Sequence, residues 1–141
     1  MAEKMNWSLS ASSLGAGVND TGAFEIDAAT RASVTVTPGT PESLNLNLPE
    51  IAKLRFLTIT SSLYDEKVVV SVASGPPAAP AGGGAPAGPA PSSKTFKLIG
   101  PLTLCGDSIV QLLGPTLAFV TLTNNDPSKV ASVQILIGHQ L

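Results

Sequence analysis

The chain has 141 residues, of which 43% are apolar and only 13% are charged, and its formal net charge is −2. This length fits a single domain over residues 1–141, and the charge provides no basic field that would attract nucleic acid or an anionic membrane. One cysteine, Cys105, excludes an intrachain disulfide and a Cys-based zinc site, and one histidine, His139, disfavours other transition-metal sites.

Residues 1–30 are expected to form an N-terminal arm and a first strand that includes Trp7 and Leu9. This region lacks the uninterrupted apolar segment of a secretory signal. No apolar run elsewhere in the sequence is long enough to cross a bilayer. We therefore expect a protein that is made in the cytoplasm and has no membrane partner.

Alternating apolar and polar residues predict short β-strands along most of the chain. In Arg31–Thr37, Ala32, Val34 and Val36 share one face, and in Ser43–Leu48 leucines alternate with polar residues. The same analysis predicts six further strands, at Leu54–Ser61, Lys67–Ala73, Thr95–Ile99, Ser108–Leu113, Leu117–Thr123 and Val130–Ile137. Clusters of Pro, Gly, Asn and Asp separate these strands. The pattern is typical of an all-β antiparallel sandwich, and we expect a jelly-roll-like strand order.

The segment Gly75–Ser93 contains only Pro, Gly, Ala and Ser. Such a composition cannot bury enough apolar surface to offset the entropy lost on ordering. We therefore expect a long, extended loop inserted between two strands of one domain. A linker between two domains is the alternative, but the residues after Ser93 are too few to form an independent β-domain comfortably.

Two strands near the C-terminus, Leu117–Thr123 and Val130–Ile137, have apolar residues on both faces. A single sandwich covers only the inner face of each strand, and an exposed apolar outer face promotes aggregation. We therefore expect a homo-oligomer, with a trimer favoured.

Side chains capable of nucleophilic or acid–base catalysis are few. Cys105 has apolar neighbours, so we interpret it as a small buried core residue rather than a nucleophile. His139 lies near the C-terminus, where an exposed or contact residue is a better interpretation than a catalytic base.

The acidic residues also have simple structural interpretations. Glu25 and Asp27 flank Ile26 and are expected on the polar face of a strand, while Asp65-Glu66 is expected in an exposed turn rather than at a glycosidase site. Asn124–Asp126 carries oxygen atoms that calcium could use, but a hairpin turn explains these residues without an ion. We therefore predict no catalytic, cofactor-binding or metal-binding residues, and a protein that is not an enzyme.

Together these features resemble the small β-sandwich virion proteins of tailed bacteriophages, especially capsid decoration (cement) proteins. The resemblance covers Arg31–Ile137 with its inserted loop, and Phe119–Asn125 followed by Val133–Gly138 looks like the last hairpin of many virion jelly rolls. It implies a protein of the virion, made in the host cytoplasm. It also implies binding to the outer capsid lattice, often as a trimer, with the major capsid protein or other virion subunits as partners.

Two alternatives stay open from the sequence. One is a structural component of a phage tail or baseplate, and the other is a β-sandwich module that binds a glycan or another protein. Trp7 and Tyr64 are the aromatic residues that a sugar-binding surface could use, although core packing is the more usual role of such side chains.

Overall fold

The computed structural model describes residues 3–13, 16–45, 53–74, 93–113 and 118–140. Within these ranges the chain forms ten β-strands and one short α-helix. In chain order they are β1 (Glu3–Ser13), β2 (Ala16–Ile26), β3 (Ala28–Val36), β4 (Glu42–Asn45), β5 (Leu54–Ser61), β6 (Val68–Ala73), β7 (Ser93–Lys97), β8 (Leu102–Cys105), α1 (Ser108–Leu113), β9 (Phe119–Asn124) and β10 (Ala131–His139). Neighbouring strands pair antiparallel. The predicted all-β antiparallel class is confirmed.

The strands form two four-stranded sheets and one separate two-stranded hairpin. The first sheet has the order β3-β10-β5-β8, the second has the order β4-β9-β6-β7, and β1 pairs with β2. From β3 onward, each connection between successive strands passes from one four-stranded sheet to the other, except the connection from β6 to β7. Strands distant in sequence therefore become neighbours in each sheet.

The inner faces of the two sheets share one hydrophobic core, which gives a sandwich-like arrangement. Alternation places Val68, Val70 and Val72 of β6 in this core, against buried residues of the first sheet such as Ile59 and Ile135. The same period of two fits the predicted faces of β3. Val36 is buried and Ala32 and Val34 are half-buried, while Ser33 and Thr35 between them are exposed. Burial of these apolar side chains is the main favourable contribution to folding.

The predicted strands agree with the observed ones to different degrees. Leu54–Ser61 matches β5, and β3 includes most of Arg31–Thr37. The boundaries of β6, β7, β9 and β10 differ by one or two residues from those predicted. β4 covers the first part of Ser43–Leu48, and residues 46–48 lie outside the described residues.

The strand predicted at Ser108–Leu113 is wrong, because this segment forms α1. The backbone turns at Gly106, which has a φ of 58°, and the first helical hydrogen bond runs from the Gln111 amide to the Asp107 carbonyl. Ile109 is fully buried, and Leu113, one helical turn later, packs against the core. Among the described residues no helix is long and apolar enough to cross a membrane.

The N-terminal region contains more strand than the sequence indicated. Residues 3–13 and 16–26 form two eleven-residue strands that pair as a hairpin, in which Trp7 pairs with Gly22 and Ala11 pairs with Val18. This hairpin packs on the first sheet through Ile26, which lies over Gly138 and Phe56.

Two further expectations concern connections between strands. β9 and β10 lie in different sheets, so the expected last hairpin is wrong and Asn124–Asp126 belongs to a crossover between sheets. Ser93, the expected last residue of the Pro/Gly/Ala loop, begins β7 and pairs with Ala73 of β6. The rest of that loop, residues 75–92, lies outside the described residues.

The outer face of β10 is more polar than expected. Val130 is exposed but precedes the strand, while Ser132 and Gln134 are exposed on the outer face and Leu136 is half-buried. β10 therefore does not have the apolar outer face on which the expected homo-oligomer was partly based.

Candidate interaction surfaces

The described residues contain no cluster of three or more His, Cys, Asp or Glu side chains that could hold a metal ion. Cys105 is half-buried opposite Phe56, and the inward position predicted for it is taken by Leu104 instead. Burial raises the pKa of the Cys105 thiol, which keeps it protonated and weakly nucleophilic at neutral pH.

His139 ends β10 as a half-buried contact residue. Its carbonyl accepts a hydrogen bond from the Asp27 amide at 3.0 Å, and it follows a register shift at Gly138. Its Nδ1 atom is buried without a hydrogen-bond partner among the described residues. The structure thus places it at the end of a central strand, between the chain segments that carry Ala28 and Leu54.

The acidic residues Asp65 and Glu66 form an exposed turn, as predicted. Both have positive φ angles, of 56° and 63°, and Glu66 Oε2 accepts a hydrogen bond from Lys97 Nζ at 2.6 Å. This hydrogen bond and the charge of Lys97 lower the pKa of the Glu66 carboxyl. Glu25 and Asp27 are exposed on either side of buried Ile26, as predicted, but only Glu25 belongs to a strand, since Asp27 forms a bend between β2 and β3.

Asn124 and Asp126 shape the crossover between β9 and β10. The Asp126 carboxylate accepts backbone hydrogen bonds from Ser128 at 3.0 Å and Lys129 at 2.8 Å, and these bonds lower its pKa. The Asn124 amide is fully buried and donates to backbone carbonyls. These polar atoms organise a turn, as expected, although the turn joins two sheets.

An apolar cleft of about 440 Å³ opens where the edge strands β7 and β8 meet α1. We refer to it as the edge cleft. Its apolar lining consists of one aromatic side chain and four leucines: Phe96, Leu102, Leu104, Leu112 and Leu113. The cleft forms because β7 and β8 are the edge strands of their sheets, so no further strand pairs with either of them at this side of the sandwich.

Two lysines border the edge cleft. Lys94 Nζ donates to the Leu112 carbonyl at 2.7 Å, at the end of α1, and Lys97 forms the exposed ion pair with Glu66. Leu112 itself is 55% exposed, and Ile99, in the connection from β7 to β8, is 73% exposed. The edge cleft therefore combines an apolar floor with exposed apolar residues and two cations.

The β1–β2 hairpin has one apolar face and one polar face. Its register places Trp7 opposite Gly22, with Met5 and Val18 on the same face of the ribbon. Val18 is 61% exposed, while Trp7 is half-buried because its indole lies against Gly22. Directly opposed polar pairs such as Ser8 and Thr21 occupy the other face.

A row of hydroxyl groups crosses the outer face of the second sheet. The four side chains come from four adjacent strands and lie at directly paired positions: Ser43, Thr121, Ser71 and Thr95. The hydroxyls of Ser43 and Thr121 are 2.8 Å apart, and Thr95 donates to Ser71 at 3.2 Å. Phe119 is half-buried on the same face. This surface is polar and carries an aromatic residue at the end of the sheet where β9 begins.

The two aromatic residues proposed for a sugar-binding surface lie on different elements of the fold, Trp7 in β1 and Tyr64 between β5 and β6. Tyr64 packs against the core, and its hydroxyl accepts a hydrogen bond from the Ser61 amide at 3.1 Å. Trp7 lies on the hairpin, outside the core cluster. The core interpretation is therefore confirmed for Tyr64 and wrong for Trp7.

No protein-family model, curated protein or solved structure matches the chain. Its surfaces must therefore be interpreted from their own chemistry. No local sequence pattern indicates the edge cleft, because Phe96 and Leu112 come together only when two sheets and a helix assemble. The alternation of Met5 and Trp7 was a usable signal for an apolar face of β1, but the position of Val18 on the same face follows only from the pairing of the two strands.

Proposed function

We propose that this chain is a structural virion protein that binds the outer capsid lattice as a decoration or cement protein and stabilises the shell. Its partners in this role are the major capsid protein or other virion subunits, and it acts as a homo-oligomer, with a trimer favoured. It requires no cofactor and catalyses no reaction.

The order of the strands is the observation that carries this proposal. In the first sheet β10 lies between β3 and β5, and in the second sheet β9 lies between β4 and β6. In each sheet, a strand from the end of the chain thus lies between two strands from earlier in the chain. This order of eight strands supports a jelly roll, which is built from two Greek keys. Jelly rolls recur in viral capsid and lectin domains. A fold alone does not define a function, so the surfaces and the experiment below must decide.

The shape of the molecule suits a protein that bridges subunits of a shell. The two sheets share one core and form the body, and the β1–β2 hairpin extends from it with most of its residues exposed. Weak contacts that repeat by symmetry become tight because binding at one site raises the effective concentration at the next. A protein with this role needs surfaces and no reactive group.

Purified virions with and without the protein provide the test. Particles that lack it should release their genome at a lower temperature than complete particles. When the salt concentration is lowered, they should also release it at a concentration at which complete particles stay intact. A DNA-binding dye follows the release. Adding the purified protein back should restore the resistance and should deplete the protein from the supernatant after sedimentation. Heat-denatured protein is the control for unspecific adsorption.

Two results would overturn this proposal. If the folded protein does not sediment with particles, it is not a decoration protein, and a tail, baseplate or receptor-binding role becomes the better hypothesis. If it binds but both kinds of particle fail under identical conditions, it has no cementing role.

A glycan-binding module is the second candidate, and the outer face of the second sheet favours it. Phe119 is only half-buried there, between Asn45 and Ala73 and beside the row of hydroxyls. An aromatic ring next to hydroxyl and amide groups can contact a sugar ring. A glycan array with the wild-type protein, and with Phe119→Ala as the control, should show binding that depends on the ring if this candidate is correct.

A further inference from the structure

The hairpin and the rest of the chain differ in charge. Three of the ten acidic side chains lie in the hairpin, at Glu3, Asp20 and Glu25, and Asp27 follows it directly, whereas only one of the eight basic side chains, Lys4, lies there. The residues after Asp27 carry a small excess of basic side chains. The hairpin is therefore an acidic ribbon that also has an apolar face.

The edge cleft has complementary properties. Its lining is mostly apolar, and the two charged residues that line it, Lys94 and Lys97, are both basic, with Lys97 also paired to Glu66 beside the cleft. β7 and β8 are the outermost strands of their sheets, and such edges are sites where another strand can add. Of the four large apolar side chains that are at least half exposed among the described residues, Ile99 and Leu112 lie at this cleft or beside it, and Val18 lies on the hairpin.

The hairpin extends far beyond its anchor on its own body. Ile26 is buried against Phe56 and Gly138, which fixes the base of the ribbon on the outer face of the first sheet. Val18 lies eight positions away along β2, a distance of about 27 Å at roughly 3.4 Å per residue. A two-stranded ribbon is only marginally stable by itself in water, so a surface that covers its apolar face would stabilise it.

We infer that copies of this chain bind one another by docking the acidic β1–β2 hairpin of one copy against the lysine-bordered edge cleft of the next copy. The hairpin supplies Met5, Trp7 and Val18, and the cleft supplies Phe96 and the exposed Leu112. Such a contact joins two different surfaces, so repetition by rotation closes a ring, and a trimer is one such ring. The inference rests on the oligomeric form included in the proposed function and identifies its contact surfaces.

Site-directed cross-linking tests the contact directly. In a Cys105→Ser background, one preparation carries Val18→Cys and a second carries Leu112→Cys, and the two are mixed with a short thiol-specific cross-linker. We expect a covalent dimer from this mixture. The matched control replaces the second preparation with Val130→Cys, because Val130 is 50% exposed but does not line the cleft. Equal yields from both mixtures, or no dimer from the first, would overturn the inference.

Light scattering gives an independent test that needs no added cysteine. The wild-type protein should be larger than its 14.3 kDa monomer, and Leu112→Asp should dissociate it, whereas Val130→Asp should not. Circular dichroism establishes that both variants are folded. A wild-type monomer, or an oligomer that Leu112→Asp leaves intact, contradicts the proposed contact.

These outcomes can be separated from the proposed function. Sedimentation with virions measures shell binding whether or not copies associate in solution. If wild-type protein binds particles while no cross-link forms, the function stands and the hairpin–cleft contact fails. If the cross-link forms but no particle binding occurs, the contact stands and the decoration role fails.

Discussion

Asn124 and Val36 connect the two sheets through one buried hydrogen bond. Asn124 lies at the end of β9 in the second sheet, and its Nδ2 atom donates to the carbonyl of Val36, at the end of β3 in the first sheet, at 3.0 Å. The same amide donates to the Lys129 carbonyl at 2.7 Å, and its Oδ1 atom accepts from the Asp126 amide. One side chain thus satisfies three backbone groups at the crossover.

Replacement of Asn124 should therefore destabilise the body. Asn124→Asp keeps the shape and the acceptor but loses both donated hydrogen bonds, leaving buried carbonyls unpaired at a cost of about 2–3 kcal/mol. Urea unfolding followed by circular dichroism measures this change. Asn125→Ala is the control, because Asn125 is exposed, and it should change the free energy of unfolding by less than about 0.5 kcal/mol. Equal effects of the two substitutions would contradict the structural role of Asn124.

Gly22 tests the hairpin separately from the body. A Cβ atom at this position would lie 2.5 Å from Trp7 Nε1, so Gly22→Ala must displace the indole. Trp7 is the only tryptophan, and its fluorescence therefore reports on the hairpin alone. We expect a shifted emission maximum with an unchanged unfolding midpoint of the body by circular dichroism. Gly100→Ala, where the added methyl group meets open space, should change neither signal. An unchanged Trp7 spectrum in Gly22→Ala would argue against this packing.

The stability of α1 should depend mainly on Ile109. Its side chain is fully buried, and Ile109→Ala should cost about 2–4 kcal/mol, from lost burial and the cavity left behind. Leu112→Ala changes a largely exposed residue of the same helix and should cost much less. The two midpoints of chemical unfolding provide the comparison. A larger effect at Leu112 would mean that Leu112, rather than Ile109, faces the core.

The sequence predicted strands well where polarity alternates over a long run, as in Leu54–Ser61. It failed at Ser108–Leu113, because a short segment with four apolar residues out of six fits a buried strand and a helix equally well. The signals that distinguish them, Gly106 and Asp107, lie before the run and favour a helix start. β2 was missed since Gly17 and Gly22 interrupt its pattern, and its pairing with β1 is what makes it a strand.

Sheet membership and surfaces could not be predicted from local patterns. Phe119 and Val133 lie close in the sequence and were assigned to one hairpin, but their strands belong to opposite sheets. Which strands become neighbours depends on contacts between residues far apart in the chain. The edge cleft depends on the same long-range order, so its residues had no recognisable signature.

Stability should fall in acid through Glu66 and Asp126. A hydrogen bond and charge from Lys97 hold the pKa of Glu66 below its ordinary 4.5, and backbone amides of Ser128 and Lys129 hold that of Asp126 below 3.8. Because both values are lower in the folded chain, these contributions are complete above about pH 4.5 and are lost as the pH falls through the folded values.

Unfolding midpoints measured between pH 6 and pH 3 check this expectation. Glu66→Gln and Asp126→Asn should each reduce the loss of stability on acidification. The Glu66 carboxyl is exposed, so high salt should weaken its contribution by screening its attraction to Lys97. Identical pH profiles for the wild type and both variants would show that these bonds do not stabilise the fold.

Residues 75–92 should be dispensable for folding. The residues on either side, Ala73 and Ser93, are cross-strand partners in the second sheet, so a short turn can join β6 to β7. Two to five residues are enough for such a connection, and shortening a loop reduces the entropy cost of closing it. We therefore expect a variant with a four-residue Gly-Ser connection to unfold cooperatively, at the same or a higher urea concentration.

A second variant that replaces residues 75–92 with a Gly-Ser sequence of equal length separates the effect of length from that of composition. If shell binding weakens in both variants while folding is retained, the Pro/Ala composition itself contacts the partner, whereas loss of cooperative unfolding would show that the segment belongs to the fold.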